Sequence, residues 1–235
     1  MSESLADSRI KTGTTTVALT TEDSVLLAAD RRASLGGRFV SNKEMVKVEQ
    51  VHPTAAITLA GAVGDLQSFV RTLRAETSLY ETRRDTTIDM SALATLTGNL
   101  LRNGPFRGAH PTLGGVDATG PHVYDLDAGG SVMESDYVAG GSGMQLAYGV
   151  LEREFESGLS TDAARDVAVR AIESAAERDT ASGNGVTIAT ITKGGVEVRS
   201  YDSYADHEED DYEDSHEVSD DHDSDDDSGS EGVSA

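Results

Sequence analysis

Cysteine is absent from the 235-residue sequence, which excludes disulfides, thiol catalysis and cysteine metal sites. Basic residues are scarce, with 19 Lys and Arg against 42 Asp and Glu. Phosphate binding needs clustered basic side chains, so a nucleic-acid partner is disfavoured. No apolar run reaches membrane-spanning length, and the stretch from Met1 to Lys11 is polar and broken by charges where a signal peptide needs an apolar core. Neither G-x-G-x-x-G nor G-x-x-x-x-G-K-[ST] occurs, so the glycines at 140–143 are read as turn chemistry rather than a phosphate cradle. The expectation is a soluble, cytoplasmic protein, with no membrane partner and no cofactor implied.

The acidic balance is uneven. Of the net charge of −23, 16 negative charges and no positive ones fall between Tyr201 and Ala235, leaving −7 for residues 1–200. A segment of that composition cannot bury apolar area and repels itself, so residues 202–235 are expected to be a disordered acidic tail. His207, His216 and His222 lie among its carboxylates, where solvated charge is a better reading than metal binding. An acidic surface with few lysines also suits a cytoplasm held at high salt. The remainder, with 37% hydrophobic residues over the whole chain, suffices for one sizeable domain.

The sequence is organised around Gly13-Thr14-Thr15-Thr16-Val17, which opens an alternating strand after twelve residues without hydrophobic periodicity. Threonines favour strands for packing reasons alone. A cut between Gly13 and Thr14, however, would leave a hydroxyl and a free α-amino group on one residue. An α-amino group titrates near pH 7.7–8.0, so it could take the hydroxyl proton as a bond forms.

Thr15 to Thr20 and Ser24 to Asp30 read as a hairpin around Glu22-Asp23, and Val25 to Ala29 is apolar without alternation, which predicts burial on both faces. A turn at Gly36-Gly37 precedes short strands at Arg38 to Val40, Val46 to Val51 and Ala55 to Ala60. Two helices follow, one carrying Leu66, Phe69, Val70, Leu73 and Tyr80, the other Met90, Leu93, Ala94, Thr97 and Leu101 up to Gly104-Pro105. Strands are predicted at Thr112 to Asp117, His122 to Leu126, Ser131 to Glu134 and Tyr137 to Ala139. Gly140 to Gly143 then open a helix to about Glu156, and Ser160 or Thr161 caps another. Strands at Val186 to Thr192 and Val196 to Tyr201 complete an order that suits two sheets face to face with helix layers outside.

From about Gly13 to Tyr201 these residues resemble an archaeal proteasome β subunit, an N-terminal nucleophile hydrolase. The resemblance is carried by G-T-T-T-V, A-A-D-R-R, T-L-A-G-A-V-G-D, the glycine-serine-glycine at 141–143 and R-D-T-A-S-G at 178–183, in order and at the family's spacing. The tail lies outside it, with a composition like that of proteins from salt-loving archaea. The resemblance implies an α+β fold, a four-layer αββα sandwich, with residues 1–13 a propeptide removed by autocleavage between Gly13 and Thr14, and residues 14–201 the catalytic domain.

It further implies roles. Thr14 corresponds to the nucleophile and Asp30 and Lys47 to the carboxylate and lysine beside it, although Lys43 is near and the turn at Gly36-Gly37 is one residue longer than the family's. Gly61 corresponds to the oxyanion donor, and Ser142, Asp179 and Ser182 to the polar network around the threonine amine. Read without the family, Ser142 would be a helix cap and Asp179 and Ser182 part of a helix C-terminal turn. Ala33, Met45, Leu59 and Val63, with Glu49 at the rim, would line an apolar pocket of broad preference. The implied protein is a threonine endopeptidase of broad chymotrypsin-like preference, assembled with α subunits and other β subunits in stacked heptameric rings and supplied with unfolded proteins by a regulatory ATPase. The alternatives are a non-catalytic ring subunit of the same fold and the bacterial two-ring peptidase relative. No metal is implied.

Overall fold

A computed structural model describes residues 13–61, 63–106 and 108–207, apart from the side chain of Val63. The chain divides into two units, Met1–Tyr204 and Ala205–Ala235; in the second only Ala205 to His207 are described. The predicted propeptide up to Thr12 and the predicted tail from Glu208 onward lie outside the described residues.

The first unit is built on a five-stranded sheet in the order β10-β1-β2-β11-β12 and a second in the order β5-β6-β7-β8-β9. In the first, β1 (Thr15–Thr20) pairs antiparallel with β2 (Val25–Asp30), which pairs with β11 (Val186–Thr192), itself paired with β12 (Gly195–Tyr201). Strand β10 (Tyr137–Gly141) flanks β1 on its other side. The second sheet runs antiparallel through β5 (Val48–His52), β6 (Ala55–Thr58), β7 (Thr112–Asp117), β8 (Gly120–Leu126) and β9 (Val132–Glu134). A separate hairpin joins β3 (Ala33–Leu35) to β4 (Phe39–Asn42).

Every residue of β2 is buried, as its unbroken apolar run requires, and its two faces go to different cores. Leu26 and Ala28 pack with Val167, Ala168 and Ile172 of α4 (Thr161–Ala176) and with Ala147 and Leu151 of α3 (Met144–Glu154). Val25, Leu27 and Ala29 pack with Val48, Ala56, Val116 and Val123 of the other sheet. On that sheet's far face, Ile57 and Leu113 meet Phe69 and Leu73 of α1 (Val63–Arg84) and Leu93 and Leu101 of α2 (Met90–Asn103). The layers are therefore helix, sheet, sheet and helix. A fully buried leucine such as Leu27 contributes about 1.5–3 kcal/mol by transfer alone.

Local chemistry sets the helix ends. Asp89 caps α2 by accepting from the Ala92 N–H at 2.7 Å, and Ser160 caps α4 by accepting from the Ala163 N–H at 3.2 Å. Asp65 lies in the first turn of α1, Arg83 and Arg84 in its last, each sign complementing the helix dipole. Two local expectations differ from what forms. Gly140 and Gly141 belong to β10 rather than to a helix start, because Thr15 and Thr16 pair with them across the sheet. Ala33 to Leu35, too short to show periodicity, form a strand that the sequence reading left out.

Candidate active site

The open ends of β1 and β2 bring Thr14 near Asp30, because the hairpin register, with Thr16 opposite Ala29, sets Thr15 across from Asp30 and Thr14 next to it. Asp30 is fully buried and its carboxylate collects five donors. Its Oδ1 accepts from Thr14 Oγ1 at 2.8 Å, the Thr15 N–H at 2.9 Å and Lys47 Nζ at 2.7 Å. Its Oδ2 accepts from the N–H groups of Arg32 at 3.0 Å and Gly183 at 2.9 Å. An ionised carboxylate is an acceptor at both oxygens, which is what five converging donors require.

Lys47 reaches this carboxylate from the strand entering the second sheet. The Met45 N–H bonds the Arg31 carbonyl at 2.9 Å, and the Leu59 N–H bonds the Lys47 carbonyl at 2.8 Å, so the segment is pinned at both sides of the lysine. Lys47 is 2% exposed whereas Lys43 is exposed. Of the two lysines, Lys47 is the one the fold delivers to Asp30. Burial pushes its ammonium below the ordinary value, while attraction and the hydrogen bond to Asp30 oppose that shift.

A second group of polar side chains lies on the other side of Thr14. The Thr14 N–H donates to Ser142 Oγ at 3.1 Å. Ser142 Oγ has the Asp179 carboxylate at 2.5 Å and the Thr14 carbonyl at 3.2 Å, and with a single proton to give it favours the shorter, charge-assisted bond. Ser182 Oγ donates to the same Asp179 Oδ2 at 2.7 Å. Asp179 follows α4, its N–H held by the Ala175 carbonyl at 2.8 Å. Ser142 is not a helix cap: Gly143 takes that position in α3 and makes no side-chain cap bond, leaving the serine hydroxyl for Thr14 and Asp179.

Gly61 forms an isolated bridge with Ala109 at a φ of +136°, and a Cβ there would fall 1.8 Å from the Gly108 carbonyl oxygen, so both conformation and contact demand glycine. The residues predicted to line a pocket are less unified than those around Thr14. Ala33 is buried and Met45 half-buried at the edge of the β3–β4 region, whereas Leu59 is packed in the core beneath α1. Glu49 is paired with Arg74 of α1 at 2.9 Å. The side chain of Val63 lies outside the described residues.

Sequence reasoning missed Thr15, Arg32 and Gly183, all of which touch Asp30 through backbone N–H groups that no side-chain pattern reveals. Arg32 also grips the loop after α4, its Nε donating to Asn184 Oδ1 at 2.9 Å and its Nη1 to the Thr180 carbonyl at 3.0 Å. His52, His110 and His122 stand isolated along the sequence, yet two of them have acidic partners in the fold. His52 Nε2 lies 3.1 Å from Glu81, and His122 lies between Glu134 and Asp117. Among the described residues, no three His, Asp or Glu side chains are arranged to hold a metal, and no helix is long and apolar enough to cross a membrane.

Residues 10–191 match the family model described as Proteasome subunit. The chain is 62% identical over 196 residues to the proteasome subunit beta of Halorhabdus utahensis, covering 83% of this chain and 84% of that one. It is 58% identical over 203 residues to proteasome subunit beta 2 of Haloterrigena turkmenica, covering 86% of each. With the proteasome subunit beta of Natrialba magadii it shares 61% identity over 194 residues, 83% of this chain and 80% of that one.

Proposed function

The chain belongs to the proteasome subunit family, beside β subunits of halophilic archaea, and from that premise we propose that it is a catalytic member, a threonine endopeptidase with Thr14 as its nucleophile. The observation that carries this reading is the convergence of Thr14 Oγ1 and Lys47 Nζ on one buried oxygen, Asp30 Oδ1. A surface Asp and Lys would gain little from each other. Burying such a pair costs several kcal/mol per ion unless further hydrogen bonds compensate, and here the carboxylate holds a threonine hydroxyl at the same oxygen.

The first reaction is on the chain itself. Thr14 Oγ1 attacks the Gly13 carbonyl carbon, the Gly13–Thr14 C–N bond breaks as the acyl group shifts to oxygen, and the hydroxyl proton passes by way of the Lys47 and Asp30 pair to the departing nitrogen. Water then cleaves the ester, releasing the Gly13 carboxylate and leaving Thr14 with a free amine. Gly13 suits the crowded attack. A Cβ at that residue would lie 2.0 Å from the Ala181 Cβ and 2.7 Å from Ser142 Oγ, so any larger side chain would push the scissile bond out of place.

On a substrate, the hydroxyl attacks the scissile carbonyl while the freed amine takes its proton and returns it to the leaving nitrogen. The positive field of the Lys47 ammonium favours loss of the hydroxyl proton, and Asp30 fixes the lysine. Ser142, Asp179 and Ser182 hold the amine, and the Gly61 N–H is the candidate oxyanion donor, a group worth about 2.7–4 kcal/mol in such a site. Unfolded chains are the substrates, cut broadly after large apolar residues presented near Ala33 and Met45. The subunit works in the cytoplasm, in stacked rings of β and α subunits supplied by a regulatory ATPase. N-terminal sequencing of the assembled protein tests the reading: the mature chain begins at Thr14, and Thr14→Ala leaves the precursor uncut and peptide hydrolysis at background. An assembled wild-type chain that keeps Met1 to Gly13 would make it a structural ring subunit instead.

A further inference from the structure

Thr15 touches both halves of the site. Its N–H donates to Asp30 Oδ1 at 2.9 Å, and its hydroxyl lies 2.8 Å from Ser182 Oγ, with the residue wholly buried. Either hydroxyl could be the donor if the pair stood alone. Ser182, however, has one proton, and at 2.7 Å from Asp179 Oδ2 that proton is committed to the carboxylate, which has none to give. The Thr15 hydroxyl must then donate to Ser182. Ser142 likewise gives its proton to Asp179 Oδ2 and accepts from Thr14 N. The circuit is directional: Thr15 to Ser182 to Asp179 from one side, Thr14 nitrogen to Ser142 to Asp179 from the other.

The fold keeps room for this hydroxyl. A Cβ on Gly143 would sit 2.0 Å from Thr15 Oγ1, so the start of α3 approaches β1 closely only because residue 143 has no side chain. A threonine favoured merely for its strand propensity would not need its oxygen placed there.

We propose that Thr15 is a positioning residue for the hydrolysis carried out at Thr14, acting through Ser182 and Asp179 on the basicity of the Thr14 amine. This rests on the catalytic reading above. A donor on Ser182 polarises its O–H toward Asp179 and moderates the carboxylate's negative charge. The Asp179 carboxylate favours the protonated amine through Ser142. Moderating its charge therefore keeps the amine more available as the free base that takes the Thr14 proton. Loss of the Thr15 hydroxyl should raise the amine's pKa.

The test uses the assembled, processed particle carrying Thr15→Val, which keeps the shape against Gly143 but not the donor, with Thr15→Ser as the rescue. A net hydrogen bond's worth of effect predicts a fall in kcat of about 3- to 10-fold with KM within about twofold. The acid limb of the kcat/KM profile should move up by about half a unit to one unit, and Thr15→Ser should restore both. In a Ser182→Ala background, Thr15→Val should have no further effect on the acid limb. Should the valine variant fail to assemble, Thr15→Ala is measured by the same criteria. An unmoved acid limb, or equal loss in Thr15→Ser, would overturn the proposal, since a packing role would alter stability without shifting that limb. Failure of the catalytic reading would instead appear in the wild type, as a chain not beginning at Thr14 or as hydrolysis that survives Thr14→Ala.

Discussion

Lys47 and Asp30 stand at the mouth of the first sheet with side chains 3% and 0% exposed, while on the second sheet His122 lies between Asp117 and Glu134 with side chains 19%, 15% and 57% exposed. Both are clusters of acid and base linked by threonines, and they have opposite consequences. At Lys47, desolvation outweighs a partner in direct contact and drives the ammonium's pKa down. At Asp117, burial works to raise the carboxyl, but the Thr119 hydroxyl at 2.6 Å, the Met90 N–H at 2.9 Å and the Thr119 N–H at 2.7 Å outweigh it and bring the pKa to about 2. One cluster disfavours its charge, the pattern that sites of proton transfer often show; the other makes its charge more secure and uses it to anchor the start of α2.

Removing the lysine should separate the two most sharply. Lys47→Ala leaves Asp30 buried without its cation, with an expected stability cost of about 3–5 kcal/mol and a loss of peptide hydrolysis of roughly 100-fold or more. Lys43→Ala should match the wild type in both assays. Chemical denaturation alongside a fluorogenic peptide with a large apolar residue before the cut measures the contrast, and an inactive Lys43→Ala beside a normal Lys47→Ala would reverse the assignment.

Ser142→Ala should have the next largest effect. It strips the Thr14 nitrogen of its acceptor but leaves Asp30 and Lys47 paired, so hydrolysis should drop about 5- to 100-fold while the unfolding midpoint changes little. Processing kinetics followed by intact mass would show the cut slowed rather than abolished.

On the second sheet, Asp117→Asn should cost about 1 kcal/mol of stability near neutrality and leave hydrolysis unchanged. The sign of its pH dependence follows from the depressed pKa. The stabilisation is present above the unfolded value of about 3.8 and is lost as pH falls toward about 2, because the unfolded chain binds the extra proton first. Melting temperatures between pH 5 and pH 2 should therefore decline less steeply in the variant. A change in kcat with Asp117→Asn would mean that the two clusters are not separate in function.

The smallest effect on either cluster is expected from deleting residues 208–235. Arg31 pairs with Asp202 and His207 is buried rather than solvated as its acidic surroundings implied, so a cut after His207 retains both where a cut after Tyr201 would not. Processing and small-peptide hydrolysis should remain at wild-type levels, and only solubility at lowered salt should respond, since the lost segment carries most of the acidic surplus. Failure of the shortened chain to assemble would place the tail within the working particle.

Much was legible in the residues themselves. Twofold burial of Val25 to Ala29 followed from an apolar run without alternation, and the stripes on α1, α2 and α4 followed from helical spacing, because periodicity reports directly on which faces leave water. The turn-rich pieces were harder to read. Ala33 to Leu35 is too short to show a period, and the glycines at 140–143 read as a helix start because their pairing partners, Thr15 and Thr16, lie more than a hundred residues away. Motif order named Thr14, Asp30, Lys47, Ser142, Asp179 and Ser182, which the fold links by hydrogen bonds in the candidate site. The choice of Lys47 over Lys43 depended on which lysine the Arg31 and Leu59 backbone contacts carry inward.

Composition and pattern by themselves determined the layer order, the absence of thiol chemistry and the separation of an acidic end from an apolar body, since each depends on residue type and local spacing. Tertiary structure alone decided that Asp30 gathers five donors, that the Ser142 hydroxyl serves Thr14 rather than a helix, and that the Thr15 hydroxyl meets that of Ser182. These depend on backbone N–H groups and single protons brought together across separations of up to 167 residues, and side-chain identity along a sequence holds no record of where such groups point.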